Sequence, residues 1–299
     1  MVILPSKIYK VSESPGKVFM MFMGLLCLIL AALIWSTTPI FSKVVYSLGM
    51  HPISLIEIRF LFGALSLILW KRPEINEIRL NLRNLTYLSV FGLSANYFFY
   101  HVGVFYTSAS AAQVLESMAP IFVVVFAFLM KEEKISLKKV TGVLICVFGS
   151  ALIFYSHVGI KSNLLGDALE VLAALSWGFF TVQSSRTLRR ISPLNSLLFL
   201  FLFSFIVFVP FNFIFKLALN FKAFGIACLM GFLHTFLAYL LYFEGIKRTS
   251  PTLSGVIFSL SPIFTIALSI IFLRETAGVE FYIGSTIAIL GILIVIRSD

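Results

Sequence analysis

Residues 116–133 read ESMAPIFVVVFAFLMKEE, and residues 259–275 read SLSPIFTIALSIIFLRE. The shared Pro-Ile-Phe falls at Pro120 and again at Pro262, 142 positions apart. The same offset pairs Gly24 with Gly166, Trp35 with Trp177, Tyr100 with Tyr242, Gly103 with Gly245 and Glu133 with Glu275. It also pairs Gly142 and Gly149 with Gly284 and Gly291. Matches at one fixed offset that concentrate at Gly, Pro, Trp and Glu mark an internal duplication. The carboxylate that opens the first copy is not duplicated: the counterpart of Glu116 is Phe258.

The chain that carries this duplication is 60% hydrophobic and only 12% charged over 299 residues. A soluble domain carries about twice that charge fraction. Such a chain lacks the polar surface to cover a core in water, and its long apolar runs read as membrane spans. The expected spans are residues 20–42, 53–70, 84–106, 109–130, 137–156, 164–185, 194–215, 222–246, 251–273 and 278–296. Short links near TSAS and TSPT make antiparallel neighbours of the helices they join. Each copy then holds five spans. Five is odd, so the second copy enters the membrane from the opposite face and the repeats are inverted. That layout lets two similar halves exchange packing and expose a central site to either side. The expected fold is an all-α integral membrane protein of ten transmembrane helices, as two inverted five-helix repeats over residues 1–157 and 158–299.

The net charge of +10 does not point to nucleic acid, because the basic residues sit in short gaps between apolar runs. Seventeen Lys and Arg fall on the N-terminal side of the expected spans and five on the other, with Arg59 inside a span. The bias predicts a multi-pass protein of the cell membrane with both termini in the cytoplasm. Lys7, Lys10 and Lys17 ahead of an apolar run resemble a secretory signal. However, AALIW at 31–35 recurs as AALSW at 173–177, which predicts a retained span. The four histidines show no metal-ligand spacing, the three cysteines lie in apolar runs, and no Gly-rich phosphate loop is present. Neither a metal nor a cofactor is expected.

Ionisable groups at membrane depth are costly and face a cavity or a partner. Glu116 is expected about 5 Å from the midplane, with Gln113 and Pro120 on its helix face. It reads either as a ligand for a substrate ammonium or carrier of a coupling proton, or as a structural acid bonded to a neighbouring helix. The third span offers Asn96, Tyr100 and Gly103 on one face and Tyr97 and His101 on the next. His101 either pairs with Glu116 or is a satisfied packing residue. Trp35 and Trp177 fall mid-span rather than at helix ends, as cavity walls or as scaffold. His234, Tyr239 and Tyr242 would complete the opposite wall. Arg59 is expected near the end of its span, snorkelling or paired locally. Glu133 and Glu275 read as structural charges at helix ends, and Glu170 and Glu244 as interfacial acids. Pro39, Pro120, Pro210 and Pro262 read as kinks.

The two halves resemble the EamA-type drug/metabolite transporters. The resemblance covers roughly residues 20 to 297 and rests on several features together. They are the AALIW and AALSW openings, HPISLIEIRF at 51–60, and the Pro-to-Glu-to-Gly-Gly ending of each half. It implies export or exchange of small metabolites, often amino acids, through a central cavity. That cavity is implied to be lined by the first, third, fourth, sixth, eighth and ninth spans. The expected function is therefore a secondary transporter of small polar metabolites, amino acids among them, by alternating access, with proton coupling as a further expectation. The partners would be a small-molecule substrate, the lipid bilayer and protons, with the chain as monomer or homodimer. An intramembrane enzyme acting on a lipid or isoprenoid is the alternative. It would need a nucleophile or paired acids at depth, and the sequence shows neither, so no enzyme is expected. A signalling or scaffold subunit would favour a soluble domain, whereas only about 19 residues precede the first span.

Overall fold

The computed structural model describes residues 15–107, 109–155, 163–213, 220–273 and 278–298, and among these every regular element is helical. The first half begins with α1 (Pro15–Trp35) and α2 (Thr38–Ser47), followed by α3 (Pro52–Trp70). Two short helices, α4 (Ile75–Leu80) and α5 (Leu82–Tyr87), lead through a π-helical stretch, Leu88–Ser94, into α6 (Ala95–Tyr106). Then come α7 (Ala109–Glu116), α8 (Ala119–Leu129) and α9 (Leu137–Tyr155). The second half runs α10 (Leu164–Thr187), α11 (Pro193–Phe208), α12 (Phe221–Met230), the π-helical stretch Gly231–Leu237 and α13 (Ala238–Arg248). It closes with α14 (Pro251–Phe258), α15 (Ser261–Leu273) and α16 (Val279–Ile296).

Among the described residues, seven helical stretches are long and apolar enough to cross a membrane. They coincide with seven of the ten expected spans: the first, second and sixth to tenth. At the positions of the third to fifth stand the helical segments 82–106, 109–129 and 137–155. Proline divides three of the long stretches. α1 gives way to α2 at Ser36–Thr37, just before Pro39; α7 to α8 before Pro120; and α14 to α15 before Pro262. Each proline sits in a first turn, where its missing N–H would have had no helical partner anyway. Pro210 falls in a 3₁₀ stretch, Val209–Phe213, at the end of α11.

Helix starts follow from local chemistry. Asn163 Oδ1 accepts the amides of Leu165 and Gly166 and opens α10. Ser192-Pro193 and Ser250-Pro251 open α11 and α14, each serine capping an amide three residues on. At the other end of α8, Lys131 takes a left-handed conformation (φ 55°) and the Glu132 amide bonds back to Ala127 O at 2.9 Å. This Schellman-type turn directs Glu132 and Glu133 to other helices. Glu132 meets Arg186 in the last turn of α10 and Arg189 just beyond it. Glu133 binds Lys139 and also accepts the Thr252 amide at 2.6 Å, capping α14 in the opposite half. Its expected twin, Glu275, lies outside the described residues.

The two halves meet most closely where α9 crosses α16. Gly142, Gly149, Gly284 and Gly291 all stand at this crossing, and the helices touch through backbone. Small residues seven apart share a face and allow this approach. At the same end of the bundle as Glu132, Glu77 of α4 holds the start of α11. Its carboxylate accepts the amide and hydroxyl of Ser192, at 2.9 and 3.0 Å, and the side-chain amide of Asn195. Burial works against its charge, but these hydrogen bonds hold its carboxyl below the ordinary carboxylate range. A depressed folded value means that the stabilisation is present above the unfolded value and is lost as pH falls through the folded one. Below about pH 4, the wild type is expected to lose thermal stability with acidification more steeply than Glu77→Gln, in paired melting curves across pH. Parallel curves would show that this cap contributes nothing.

Candidate functional site

A cavity opens between α1, α2, α3, α6, α7, α10, α13 and α14. It holds about 400 Å³ of space between atoms, of which only about 40 Å³ is reachable by the centre of a water molecule. A single water needs roughly 10–15 Å³ by that measure, so the space suits a few waters or a compact polar solute. Its aromatic side is Trp35, Trp177, Tyr239 and Phe258; its polar side is Thr38, Arg59, Asn96, His101 and Glu116; Tyr97 and Tyr100 complete it.

Arg59 corrects the expectation of a snorkelling or locally paired residue. It is only 2% exposed and points into the bundle. Its Nε donates to Thr235 Oγ1 at 3.1 Å, one terminal nitrogen to Tyr97 Oη at 3.1 Å and the other to His101 Nε2 at 2.9 Å. The guanidinium also lies 4.9 Å from the centre of the Tyr97 ring. All these partners are neutral, and among the described residues no carboxylate pairs with Arg59. Arginine offers only donors, so His101 Nε2 must accept. Its Nδ1 then carries the hydrogen and donates to Tyr46 Oη at 2.9 Å, while that hydroxyl reaches the His101 carbonyl at 3.2 Å. Both ring nitrogens are taken, and the expected Glu116–His101 pair does not form.

Glu116 ends α7 where the chain breaks before Pro120. It is 7% exposed and lines the cavity, and no hydrogen bond or ion pair joins it to another described residue. Asn96 donates to Ala173 O at 3.0 Å, tying α6 to α10. Trp35 and Trp177 meet edge to face with ring centres 5.2 Å apart. Trp35 Nε1 donates to His234 O at 2.8 Å, whereas Trp177 Nε1 and Thr38 Oγ1 are buried without partners. Both groups stand in the cavity lining together with Glu116.

Two expected wall residues stand outside this lining. His234 lies behind Trp35, its Nε2 2.8 Å from Thr37 Oγ1. Tyr242 bonds Thr181 at 2.7 Å and stacks on Trp177, so it supports the aromatic side rather than facing the cavity. The side chain of Gln113 lies outside the described residues. Thr38, Arg59, Tyr97 and Phe258 line the cavity without having been expected to. The available signal for Arg59 was its charge inside a span. One further expectation fails: Glu170 is not interfacial but fully buried. Glu244, partly exposed, pairs with Arg248 one turn along at the end of α13.

The 142-residue offset explains why the polar side is one-sided. Thr38, Arg59, Asn96, His101 and Glu116 correspond to Phe180, Phe201, Ala238, Phe243 and Phe258. All five counterparts are buried, and Phe180, Phe201 and Phe258 pack around the Trp177 and Tyr239 rings. One half thus places polar groups where the other places apolar, mostly aromatic, side chains.

Comparison with known proteins adds what geometry alone does not. An uncharacterized transporter of Archaeoglobus fulgidus is 26% identical over 264 residues, covering 86% of this chain and 93% of that protein. One from Clostridium kluyveri is 26% identical over 287 residues, covering 91% and 92%. An uncharacterized inner membrane transporter of Escherichia coli K12 is 27% identical over 282 residues, covering 90% and 87%. A crystal structure superposes with a TM-score of 0.77 at 17% identity, over 92% of this chain and 98% of the other, a likeness of fold. The model of the EamA-like transporter family matches twice, at residues 22–155 and 164–297. With its apolar helices and its duplicated halves, this chain is a multi-pass membrane protein that belongs to the EamA-like transporter family.

Proposed function

We propose that this protein is a secondary transporter of small polar metabolites, with amino acids as the substrate class, working by alternating access. Ten spans in two inverted repeats, residues 1–157 and 158–299, surround the cavity. The excess of Lys and Arg on the N-terminal side sets both termini in the cytoplasm. The observation that carries this reading is a buried guanidinium and a buried carboxylate that line one cavity without pairing to each other. An α-amino acid brings one charge of each sign. Its carboxylate meets Arg59, its ammonium meets Glu116, and Trp35, Trp177 and Tyr239 take the side chain. Buried charges left alone are costly, so a ligand that neutralises both gains affinity from relieving them. Thr38 Oγ1 and Trp177 Nε1 supply further donors.

The test is a thermal-shift series with amino acids, the matching amines and the matching carboxylic acids. A ligand that binds only the folded state must raise the melting temperature. The amino acids are expected to stabilise most. Glu116→Gln is expected to lose about 2–5 kcal/mol of binding to them while binding the carboxylic acid as the wild type does. Equal stabilisation by amine, acid and amino acid would remove the two-charge reading. Uptake of a labelled amino-acid mixture by proteoliposomes then separates a carrier from a binding protein.

A further inference from the structure

Glu170 of α10 does not line the cavity. Its exposure is 0%, and neither carboxylate oxygen has a hydrogen-bond partner. The carboxylate occupies the space that a side chain at Gly103 of α6 would fill. The opposite half repeats this contact with different chemistry. The counterparts of Glu170 and Gly103 are Leu28 and Gly245, and Leu28 Cγ lies 2.6 Å from where a Cβ on Gly245 would stand. Packing at this position is therefore served by an aliphatic side chain, and the scaffold does not call for an acid.

An ionised carboxylate without a donor is not sustained in such surroundings, whereas the neutral acid is tolerated. Lys43 and Tyr46 of α2, Tyr100 of α6, Glu116 of α7 and Asp167 on its own helix are the titratable groups that face it, with Arg59 of α3 beyond Tyr46 and Tyr100. Lys43 Nζ is bonded to Thr107 O at 2.7 Å, and the Thr107 hydroxyl to Asp167 at 2.7 Å. This knot ties the middle of α2 to the end of α6 and the first turn of α10, one turn from Glu170.

We propose that Glu170 is the proton-binding site of the transport cycle. When the Thr107 knot opens, a Glu170 oxygen takes a proton from hydronium on that face of the membrane, leaving water. With the knot closed, the acid is sealed in as the neutral form. When the cavity turns to the other face, the O–H bond breaks and the proton leaves by way of the Glu116 carboxylate. Glu116 thereby serves substrate, and Glu170 serves the driving ion. The presence of the proton stands independently of the transport reading; its use in coupling rests on that reading.

Two measurements test this. Infrared spectra of purified protein near neutral pH should show a protonated-carboxyl C=O band. The Glu170 component of it should be missing from Glu170→Gln and Glu170→Leu and kept in Glu116→Gln and Glu77→Gln. Glu170→Leu copies the packing of the other half and should melt no lower than the wild type. In proteoliposomes under a pH gradient, the wild type should accumulate a labelled amino-acid mixture. Both Glu170 variants should exchange it without accumulating it. A band unchanged in Glu170→Gln overturns the proposal, as does a missing band with pH-driven accumulation intact. A wild type that moves no amino acid overturns the transport reading and the coupling built on it, and leaves the band to decide the proton.

Discussion

Arg59→Leu is expected to abolish amino-acid transport without lowering the melting temperature. The guanidinium is almost fully buried and all its partners are neutral. An unpaired buried charge carries a desolvation cost that an apolar side chain does not, and the other half holds Phe201 at the matching position. Tyr97 and Thr235 remain within 3.3 Å of one another and can satisfy each other, which leaves His101 Nε2, beside the cavity, as the one acceptor to be met by water. The proposed substrate, by contrast, would lose the one cationic contact that the described residues offer in the cavity. That costs about 2–5 kcal/mol of binding, a loss of roughly 30-fold to several thousand-fold. Arg59→Lys keeps the charge but not the fork that reaches His101, Tyr97 and Thr235 together, so it should recover only part of the activity. Melting curves and proteoliposome uptake of all three proteins decide the matter. A collapse in stability matching the loss of uptake would make Arg59 a structural residue.

The largest loss of stability is expected from Gly149→Val. A Cβ on Gly149 would run into the backbone of Ala288 and Gly284 on α16. Its partner Gly291 is no freer, with Cys146 N at 2.5 Å and Gly142 O at 2.6 Å from the equivalent point. These neighbours are main chain and cannot rotate away, so α9 and α16 would have to separate. Overpacking of this kind costs about 1–3 kcal/mol or more, and here it also breaks the contact between the halves. A marked fall in melting temperature or failure to accumulate in the membrane is the expected result. Gly225→Ala is the control, since nothing lies within 4 Å of its Cβ position. Equal melting of both variants and the wild type would show that the crossing tolerates a wider gap.

Much of the architecture was legible before any coordinates. The apolar runs place the helices, because a chain with so little charge has few other ways to satisfy its backbone. The prolines place the breaks within helices, because each lacks the amide that the preceding turn needs. The repeated glycines mark the crossing of α9 with α16, since a conserved offset carries a shared contact. Glu116, Asn96, Tyr100, His101, Trp35, Trp177 and Tyr239 were named as candidates and do line the cavity.

Partnership between distant residues was not legible. Arg59 meets Thr235 across 176 positions, and Trp35 meets the His234 carbonyl across 199. Helical periodicity assigns each residue to a face but says nothing of which helix that face meets. For the same reason Tyr242 and His234 were placed on the cavity wall and prove to stand behind it. The duplication, the span pattern and the lack of a counterpart for Glu116 are properties of the chain, fixed by composition and offset. Which acid lies in the cavity and which is sealed beside it, and that Arg59 faces inward, were decided by packing. Those outcomes depend on distances between helices, which no single helix encodes.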